Sequence, residues 1–300
     1  MNRRLSRTAH RITSWVTRTS RRTGLSAILW WGAFENGGGT IGDVHAVENI
    51  SRRLDANDFD HVVVSNLPII TARKVVRDWK EIPGRLGTII FVCGPIVHHE
   101  PLLEVMETHR MARREAVGVS VLASQIAANA CFDDILKRDG LLGTTFDPAL
   151  AGYNPDLPQA SDRSNIVAAC LRGPQHEYGP QKPALSERAE ELLLTAANQP
   201  AGTIERISTI VDPDRNTEQQ IIQAFARADI IATTRMHGAL YALAHGRPPI
   251  AIDQVTEGAK VSAMLDAIGW PLVYRADSTD LYQISEGVTR WGLNEAATAA

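Results

Sequence analysis

The sequence lacks the features that define several classes of protein. Its 300 residues include three cysteines, which lie far apart and never in CxxC spacing. This argues against a disulfide framework or a cysteine zinc site, and it predicts buried thiols in a reducing compartment. No apolar run reaches the roughly 18 residues that cross a bilayer. The formal net charge is only −3, which argues against general nucleic-acid binding.

What is present is the composition of a globular protein, with 44% hydrophobic and 22% charged residues. Short apolar runs alternate with segments of helical spacing, which predicts an α/β fold with parallel sheets. The predicted strands are 26–31, 61–65, 89–93, 116–122, 166–171, 204–211, 228–232, 250–252 and 271–274. The predicted helices include 44–54, 101–113, 185–198, 236–245, 261–268 and 281–291, and a capping box of Thr217 and Gln220 opens another.

A polar stretch with two prolines, residues 152–165, reads as a linker between two domains. We expect an N-terminal Rossmann-like domain at 25–155, a C-terminal one at 165–292, and a frayed tail at 293–300. Residues 1–24 form a basic arm, because the first 22 residues hold seven arginines and no acid. The arm is either a solvated tail or an amphipathic segment that rests on an anionic membrane or a partner.

The first predicted strand leads into a glycine-rich loop, GAFENGGGTIGD at residues 32–43. Such a loop between a strand and a helix lets a ligand approach the backbone closely, although a turn without a ligand is the alternative. The pattern is not GxGxxG, and no acidic residue ends the second strand, so we predict no dinucleotide cofactor. We also predict no metal site, since no carboxylate stands at ligand spacing from His98 and His99.

The most informative stretch is ADIIATTRMHGALYALAHGRPPIAID, residues 228–253. It reads as strand, loop, helix and strand, with Thr233 and Thr234 as candidate N-caps and Gly246 as the helix stop. In such a βαβ unit, ligands bind at the carboxyl ends of the strands. Arg235 and His237 fall at that junction, where the backbone N–H groups and the helix dipole favour an anion.

Four segments together resemble the polysaccharide pyruvyl transferase family. TTRMHGALYALAHGRPPIAID resembles its Arg-x-His block, and GTIGDVHAVENI resembles its Gly-Asp opening loop. ILKRDG with FDPAL is similar to the family's Arg-Asp/Glu segment, and VTEGAKVSAMLDAIGW is similar to its lysine-containing helix. The chain departs from the family at Thr40 and Ile41, where an asparagine usually precedes Gly-Asp, and at the CGPI turn of residues 93–96.

The resemblance implies two Rossmann-like domains that face each other across a cleft, similar to the glycosyltransferase-B architecture. It implies transfer of a pyruvyl group from phosphoenolpyruvate to two hydroxyls of a sugar, which gives a ketal. Phosphoenolpyruvate would be a co-substrate, with no separate cofactor. The acceptor would be a polysaccharide or its lipid-linked precursor. The protein would be cytoplasmic, either free or at the inner face of the membrane.

The chemistry assigns expected roles to individual residues. His237 would be the general acid, because imidazole titrates near neutral pH, and Arg235 would clamp an anion of the donor. The other expected donor contacts are Arg172, Gly238 and Lys260, and the expected acceptor contacts or base are Asp43 and Glu35.

Each assignment has a structural alternative. His237 could hydrogen-bond a backbone group at a helix start, Arg172 and Arg235 could form ion pairs, and Lys260 could be a solvated helix residue. Two other functions also remain open, namely a nucleotide-sugar glycosyltransferase of similar shape and a non-catalytic partner in polysaccharide assembly. Neither the acceptor sugar nor the oligomeric state can be read from the sequence.

Overall fold

A computed structural model describes residues 24–34, 39–67, 69, 72–97, 99–122, 125–140, 147–150, 166–197 and 203–290. The predicted arm, linker and tail, and the candidate Glu35, lie outside the described residues. The described residues divide into two compact units, one with residues 24–150 and 210–215 and the other with 166–209 and 216–290. The sequence predicted domains at 25–155 and 165–292, which would place residues 210–215 in the second domain. The structure assigns them to the first unit.

The first unit is built on a six-stranded sheet in the order β3-β2-β1-β4-β5-β6, in which every pairing is parallel. Its strands are β1 (Leu25–Leu29), β2 (His61–Val64), β3 (Val75–Val76), β4 (Leu86–Val92), β5 (Arg113–Val121) and β6 (Asp134–Gly140). Its helices are α1 (Ile41–Asp55), α2 (Glu100–Thr108) and the short α3 (Ile126–Asn129), with single 3-10 turns at Trp31–Ala33, Trp79–Glu81 and Pro148–Leu150. The central strands β1 and β4 are mostly apolar, and all but one residue of each is buried, as expected for a parallel sheet covered on both faces.

The second unit has a five-stranded parallel sheet in the order β11-β10-β9-β7-β8. Its strands are β7 (Ile166–Cys170), β8 (Thr203–Arg206), β9 (Ile230–Thr233), β10 (Pro249–Asp253) and β11 (Val273–Arg275). Its helices are α4 (Ser186–Ala197), α5 (Glu218–Arg227), α6 (Met236–Ala244), α7 (Lys260–Ile268) and α8 (Leu281–Arg290). The chain passes from β8 to the other side of β7 before forming β9. The strand order therefore reverses between β7 and β9, which is where ligands bind in such sheets.

The structure confirms the predicted α/β class with two parallel sheets and the helix stop at Gly246, whose φ is +70°. Two predicted elements end earlier than expected. Helix α2 ends at Thr108, since Arg113 already belongs to β5; β8 ends at Arg206 and does not reach residue 211. Strand β6 was not predicted, because its sequence DILKRDG is too polar for a buried central strand, and it occupies the edge of the sheet. No helix among the described residues is long and apolar enough to cross a membrane.

Candidate functional site

The carboxyl ends of β7 and β9 lie side by side in the second unit, because Cys170 of β7 is in register with Thr233 of β9. The segments that follow β7 and β9 therefore lie close to each other. Arg172 comes two residues after β7, while Arg235 immediately precedes α6. The structure thus gathers the two predicted arginines at the switch point of the sheet.

The predicted N-caps Thr233 and Thr234 do not cap α6; instead they join the two strand ends. The Thr233 hydroxyl donates to the Cys170 carbonyl at 2.7 Å and accepts from the Arg235 backbone N–H at 2.9 Å. The Thr234 hydroxyl accepts from the backbone N–H of Arg172 at 2.8 Å. The N-cap residue of α6 is Arg235, whose side chain makes no capping hydrogen bond. The threonines therefore set the backbone of both arginines.

The Arg235 side chain extends toward the end of β7. Its Nε donates to the carbonyl oxygen of Leu171 at 2.8 Å, so its guanidinium is held beside the segment that carries Arg172. His237 lies in the first turn of α6 and is 9% exposed. Arg235 and His237 thus lie at the same strand-to-helix junction, as the sequence predicted, and their roles in a reaction stay predictions.

Lys260 is the first residue of α7 and is brought to the same edge through β10. The buried Asp253, at the end of β10, accepts hydrogen bonds through Oδ2 from the backbone N–H groups of Ala259 and Ser262, at 2.7 and 2.9 Å. This carboxylate caps the start of α7 and thereby sets the direction of Lys260. The ammonium of Lys260 lies 3.5 Å from the Glu177 carboxylate.

Glu177 is a site residue that the sequence reasoning missed. Its Oε1 accepts from Arg172 Nη2 at 3.1 Å and from Gln175 Nε2 at 3.0 Å, and it also faces Lys260. Burial acts to raise the pKa of Glu177, but Lys260, Arg172 and the Gln175 hydrogen bond together hold it below its usual value. No sequence motif points to this residue, since Lys260 is 83 positions away and meets it only in the folded sheet.

Gly238, a predicted donor contact, is buried in the first turn of α6, where the helix packs on the strand ends. A Cβ added to Gly238 would lie 2.4 Å from Thr233 Oγ1 and 3.0 Å from Cys170 Sγ. The absence of a side chain therefore lets α6 approach β7 and β9 closely. This packing role stands beside the predicted contact with a donor, which stays a prediction.

In the first unit, the predicted acceptor residue Asp43 belongs to a capping box. Its Oδ2 accepts from the Thr40 backbone N–H at 3.2 Å and from the Thr40 hydroxyl at 2.6 Å, and the Asp43 N–H donates back to that hydroxyl. The Thr-x-x-Asp spacing is a sequence signal for this motif, and it extends α1 back to Ile41. Contact of Asp43 with an acceptor stays a prediction, and Glu35 lies outside the described residues.

Two glycines of the glycine-rich loop, Gly32 and Gly39, pack on a buried tryptophan. A Cβ on Gly32 or Gly39 would lie 2.4 or 2.2 Å from the ring of Trp30. Trp30 is fully buried, and its Nε1 donates to the Val64 carbonyl at 3.0 Å. The requirement for glycine at these two positions thus has a packing explanation, whichever ligand the loop meets.

A buried ion pair joins the segments that correspond to ILKRDG and FDPAL. Arg138 of β6 lies 3.5 Å from Asp147, with side chains 3% and 1% exposed. Arg138 also donates to the Ser120 hydroxyl at 3.0 Å, and Asp147 accepts from the Ala149 N–H at 2.8 Å. Because both charges are buried and hydrogen-bonded, the pair fastens residues 147–150 to the edge of the sheet.

Two further clusters of the first unit resemble sites of chemistry. Ser51 Oγ lies 2.8 Å from His61 Nε2, whose ring faces Asp55 at 3.9 Å. Ser51 is fully buried, so this serine cannot reach a substrate and its hydrogen bond serves packing. His45 and Glu48 lie one turn apart on one face of α1.

Comparison with known proteins supports the resemblance seen in the sequence. The family model for polysaccharide pyruvyl transferase matches residues 135–254. This segment runs from β6 to the end of β10 and includes Arg172, Arg235, His237 and Gly238, while Asp43 and Lys260 lie outside it. The match confirms the resemblance to that family and indicates a transferase. No curated protein sequence matches the chain.

One solved structure shares the fold at low sequence identity, and two others were also matched. An uncharacterised protein from Klebsiella pneumoniae subsp. pneumoniae has a TM-score of 0.50 and 11% identity, over 89% of this chain and 98% of its own. The heptosyltransferase WaaC of E. coli with ADP has a TM-score of 0.39 and 10% identity, over 90% of this chain and 98% of its own. The same enzyme with ADP-2-deoxy-2-fluoro heptose has 0.41 and 12%, over 91% and 99%.

Proposed function

We propose that this protein transfers a pyruvyl group from phosphoenolpyruvate to two hydroxyls of a sugar in a polysaccharide or its lipid-linked precursor, and so forms a ketal. The observation that carries the proposal is the cluster at the switch point of the second sheet. There Arg172, Arg235 and Lys260 supply positive charge around the end of β7, and His237 lies in the adjoining helix turn. The family match over the segment that contains three of these four residues supports it.

The donor we propose is a small molecule with two anionic groups, a phosphate and a carboxylate. A guanidinium meets either group with two parallel hydrogen bonds, which makes arginine suited to both. Arg172 and Arg235 follow two neighbouring parallel strands, so one arginine can serve each anionic group. Lys260 adds a third positive charge from the start of α7. This arrangement favours a compact dianion over a neutral sugar.

The proposed reaction begins with a proton transfer to carbon. His237, as imidazolium, gives a proton to the methylene carbon of phosphoenolpyruvate, and the positive charge develops at C2. A sugar hydroxyl attacks C2 and loses its proton, and the C2–O bond to phosphate then breaks. The second hydroxyl attacks the same carbon and loses its proton. The products are the ketal and inorganic phosphate, and one of the released protons restores the imidazolium.

The acceptor side of the proposal rests on residues of the first unit. Asp43 and Glu35 are the proposed contacts or base for the sugar hydroxyls, and we propose that the basic arm of residues 1–24 meets an anionic membrane when the acceptor is lipid-linked. Asp43 already holds the start of α1 through Oδ2. Its Asn variant keeps the cap geometry but cannot accept a proton, so that variant separates the two roles.

The test measures phosphate release from phosphoenolpyruvate in the presence of saccharide acceptors. We expect His237→Asn to lower turnover by about 10²–10⁴-fold, the usual contribution of a positioned acid, while the melting temperature still rises with phosphoenolpyruvate. Arg235→Gln should lose that rise. The matched controls are His109→Gln and Arg206→Gln. His109 lies at the end of α2, and the guanidinium of Arg206 pairs with Glu190 near the sheet edge.

Two results would refute the proposal. One is a folded His237→Asn protein that releases phosphate at the parental rate. The other is a parental protein whose melting temperature rises with nucleoside diphosphates but not with phosphoenolpyruvate, which is the behaviour of a nucleotide-sugar glycosyltransferase. If the melting temperature rises with neither phosphoenolpyruvate nor nucleoside diphosphates, the protein is better explained as a non-catalytic partner in polysaccharide assembly.

A further inference from the structure

One carboxylate oxygen in the second unit receives three hydrogen-bond donors from two separate segments. Glu177 Oε1 lies 3.1 Å from Arg172 Nη2, 3.0 Å from Gln175 Nε2 and 3.5 Å from Lys260 Nζ. Arg172 and Gln175 follow β7, whereas Lys260 begins α7. Two cations and an amide around one oxygen are the surroundings in which proteins bind an oxygen of phosphate or carboxylate.

The backbones that carry Arg172 and Lys260 are held by contacts that do not involve Glu177. The backbone of Arg172 is fixed by the Thr234 hydroxyl, and the Gly173 carbonyl by Gln254 Nε2 at 2.8 Å. Gln175 is 2% exposed. The start of α7, and with it Lys260, is set by the buried Asp253 cap. The two cations therefore extend from fixed backbone positions, and Gln175 is buried beside them, as a subsite for an anionic oxygen requires.

Glu177 itself sits in a short surface turn. The turn is closed by a hydrogen bond from the Gly179 N–H to the His176 carbonyl at 3.1 Å, and His176 is exposed. The Glu177 side chain is 14% exposed. A rotation of this one side chain, without movement of β7 or α7, takes the carboxylate away from the donors.

We propose that the Glu177 carboxylate is a resident anion in the subsite for one anionic oxygen of the donor, and that the donor displaces it. The identity of the donor rests on the proposed function; the displacement does not. Glu177 keeps these two partly buried cations paired in the free protein. It also lowers the affinity for every anion that enters, which favours a ligand with two anionic groups over a single inorganic ion.

The test uses Glu177→Gln, which keeps the size of the side chain and removes its charge. Binding of inorganic phosphate and of pyruvate is measured by titration calorimetry, so the two probes separate a phosphate subsite from a carboxylate subsite. We expect at least one probe to bind about tenfold more tightly, because a unit charge beside two cations no longer competes. Glu190→Gln removes one charge from an exposed pair with Arg206 and should leave both affinities unchanged.

Two outcomes overturn the inference. If neither probe binds Glu177→Gln more tightly than Glu190→Gln, the carboxylate does not occupy an anion subsite. If both bind more weakly, Glu177 orients the cations and is not displaced. Arg172→Gln in the Glu177→Gln background should remove the gain, which locates it at this cluster. These measurements need no turnover, so a protein that passes them and releases no phosphate from phosphoenolpyruvate fails the proposed function alone.

Discussion

Replacement of Gly238 by alanine should destabilise the second unit and disturb its switch point. The added methyl would lie 2.4 Å from Thr233 Oγ1, 3.0 Å from Cys170 Sγ and 3.3 Å from Thr233 Cβ. The threonine hydroxyl cannot turn aside freely, because it donates to the Cys170 carbonyl and accepts from the Arg235 N–H. The overlap is therefore relieved only when α6 moves away from the strands.

Two opposing effects set the magnitude. Overpacking of a buried contact costs about 1–3 kcal/mol, and the upper end applies here because the clash is with a hydrogen-bonded side chain. Alanine in place of glycine inside a helix stabilises the folded protein by up to about 1 kcal/mol. We therefore expect a net loss of about 2 kcal/mol in the free energy of unfolding. Because His237 precedes Gly238, we also expect the rate of the proposed transfer to fall by roughly 10²-fold.

The assay is urea unfolding followed by far-UV circular dichroism. The matched control is Gly173→Ala, since a Cβ on Gly173 meets nothing within 4 Å, and its effect should stay within about 0.5 kcal/mol. If Gly238→Ala is as stable as the parent while Gly173→Ala behaves as expected, α6 does not depend on a close approach at this glycine. The packing argument would then be wrong.

Two other properties follow from the ionisable groups. Burial raises the pKa of the Cys170 thiol to about 11, against the opposing effects of Arg235 and of a hydrogen bond with Thr233, and burial also raises the pKa of Cys93. At pH 8, Ellman's reagent should therefore label the half-buried Cys131 fast and the other two cysteines only in urea. Fast labelling of Cys170 in the native protein would contradict this. The pKa of Glu177 is lowered in the folded protein, so its contribution to stability is complete above the unfolded pKa of about 4.3 and is lost as the pH falls through the lower folded pKa. Unfolding measured at graded pH below about 4.3 should show a shallower acid decline for Glu177→Gln than for the parent, and parallel declines would refute this.

Much of the second unit could be predicted from local sequence. The βαβ unit of residues 228–253 was recognisable because its apolar run, helical spacing and Gly246 are signals between neighbours in the chain. The capping box at Thr217 is confirmed for the same reason, since the motif spans four residues. The capping box at Thr40 has an equally local signal, yet the predicted helix begins at residue 44, three residues after the observed start at Ile41.

Other features depended on pairing between distant segments. Thr233 and Thr234 have the residue type of N-caps, yet their hydroxyls bond to the end of β7, some sixty positions earlier. Strand β6 has a polar sequence that no periodicity marks as a strand, and it forms because β5 offers an edge. In both cases a tertiary partner outweighed the local preference.

Hydrophobic periodicity and chain adjacency are local, and they were enough to predict an α/β chain with parallel sheets and to place an arginine and a histidine where a strand passes into a helix. The meeting of Glu177 with both Arg172 and Lys260 became visible in the folded chain alone. Their approach depends on the register of β7, β9 and β10 and on the cap that Asp253 gives to α7. Register is a property of paired strands, and no single segment encodes it.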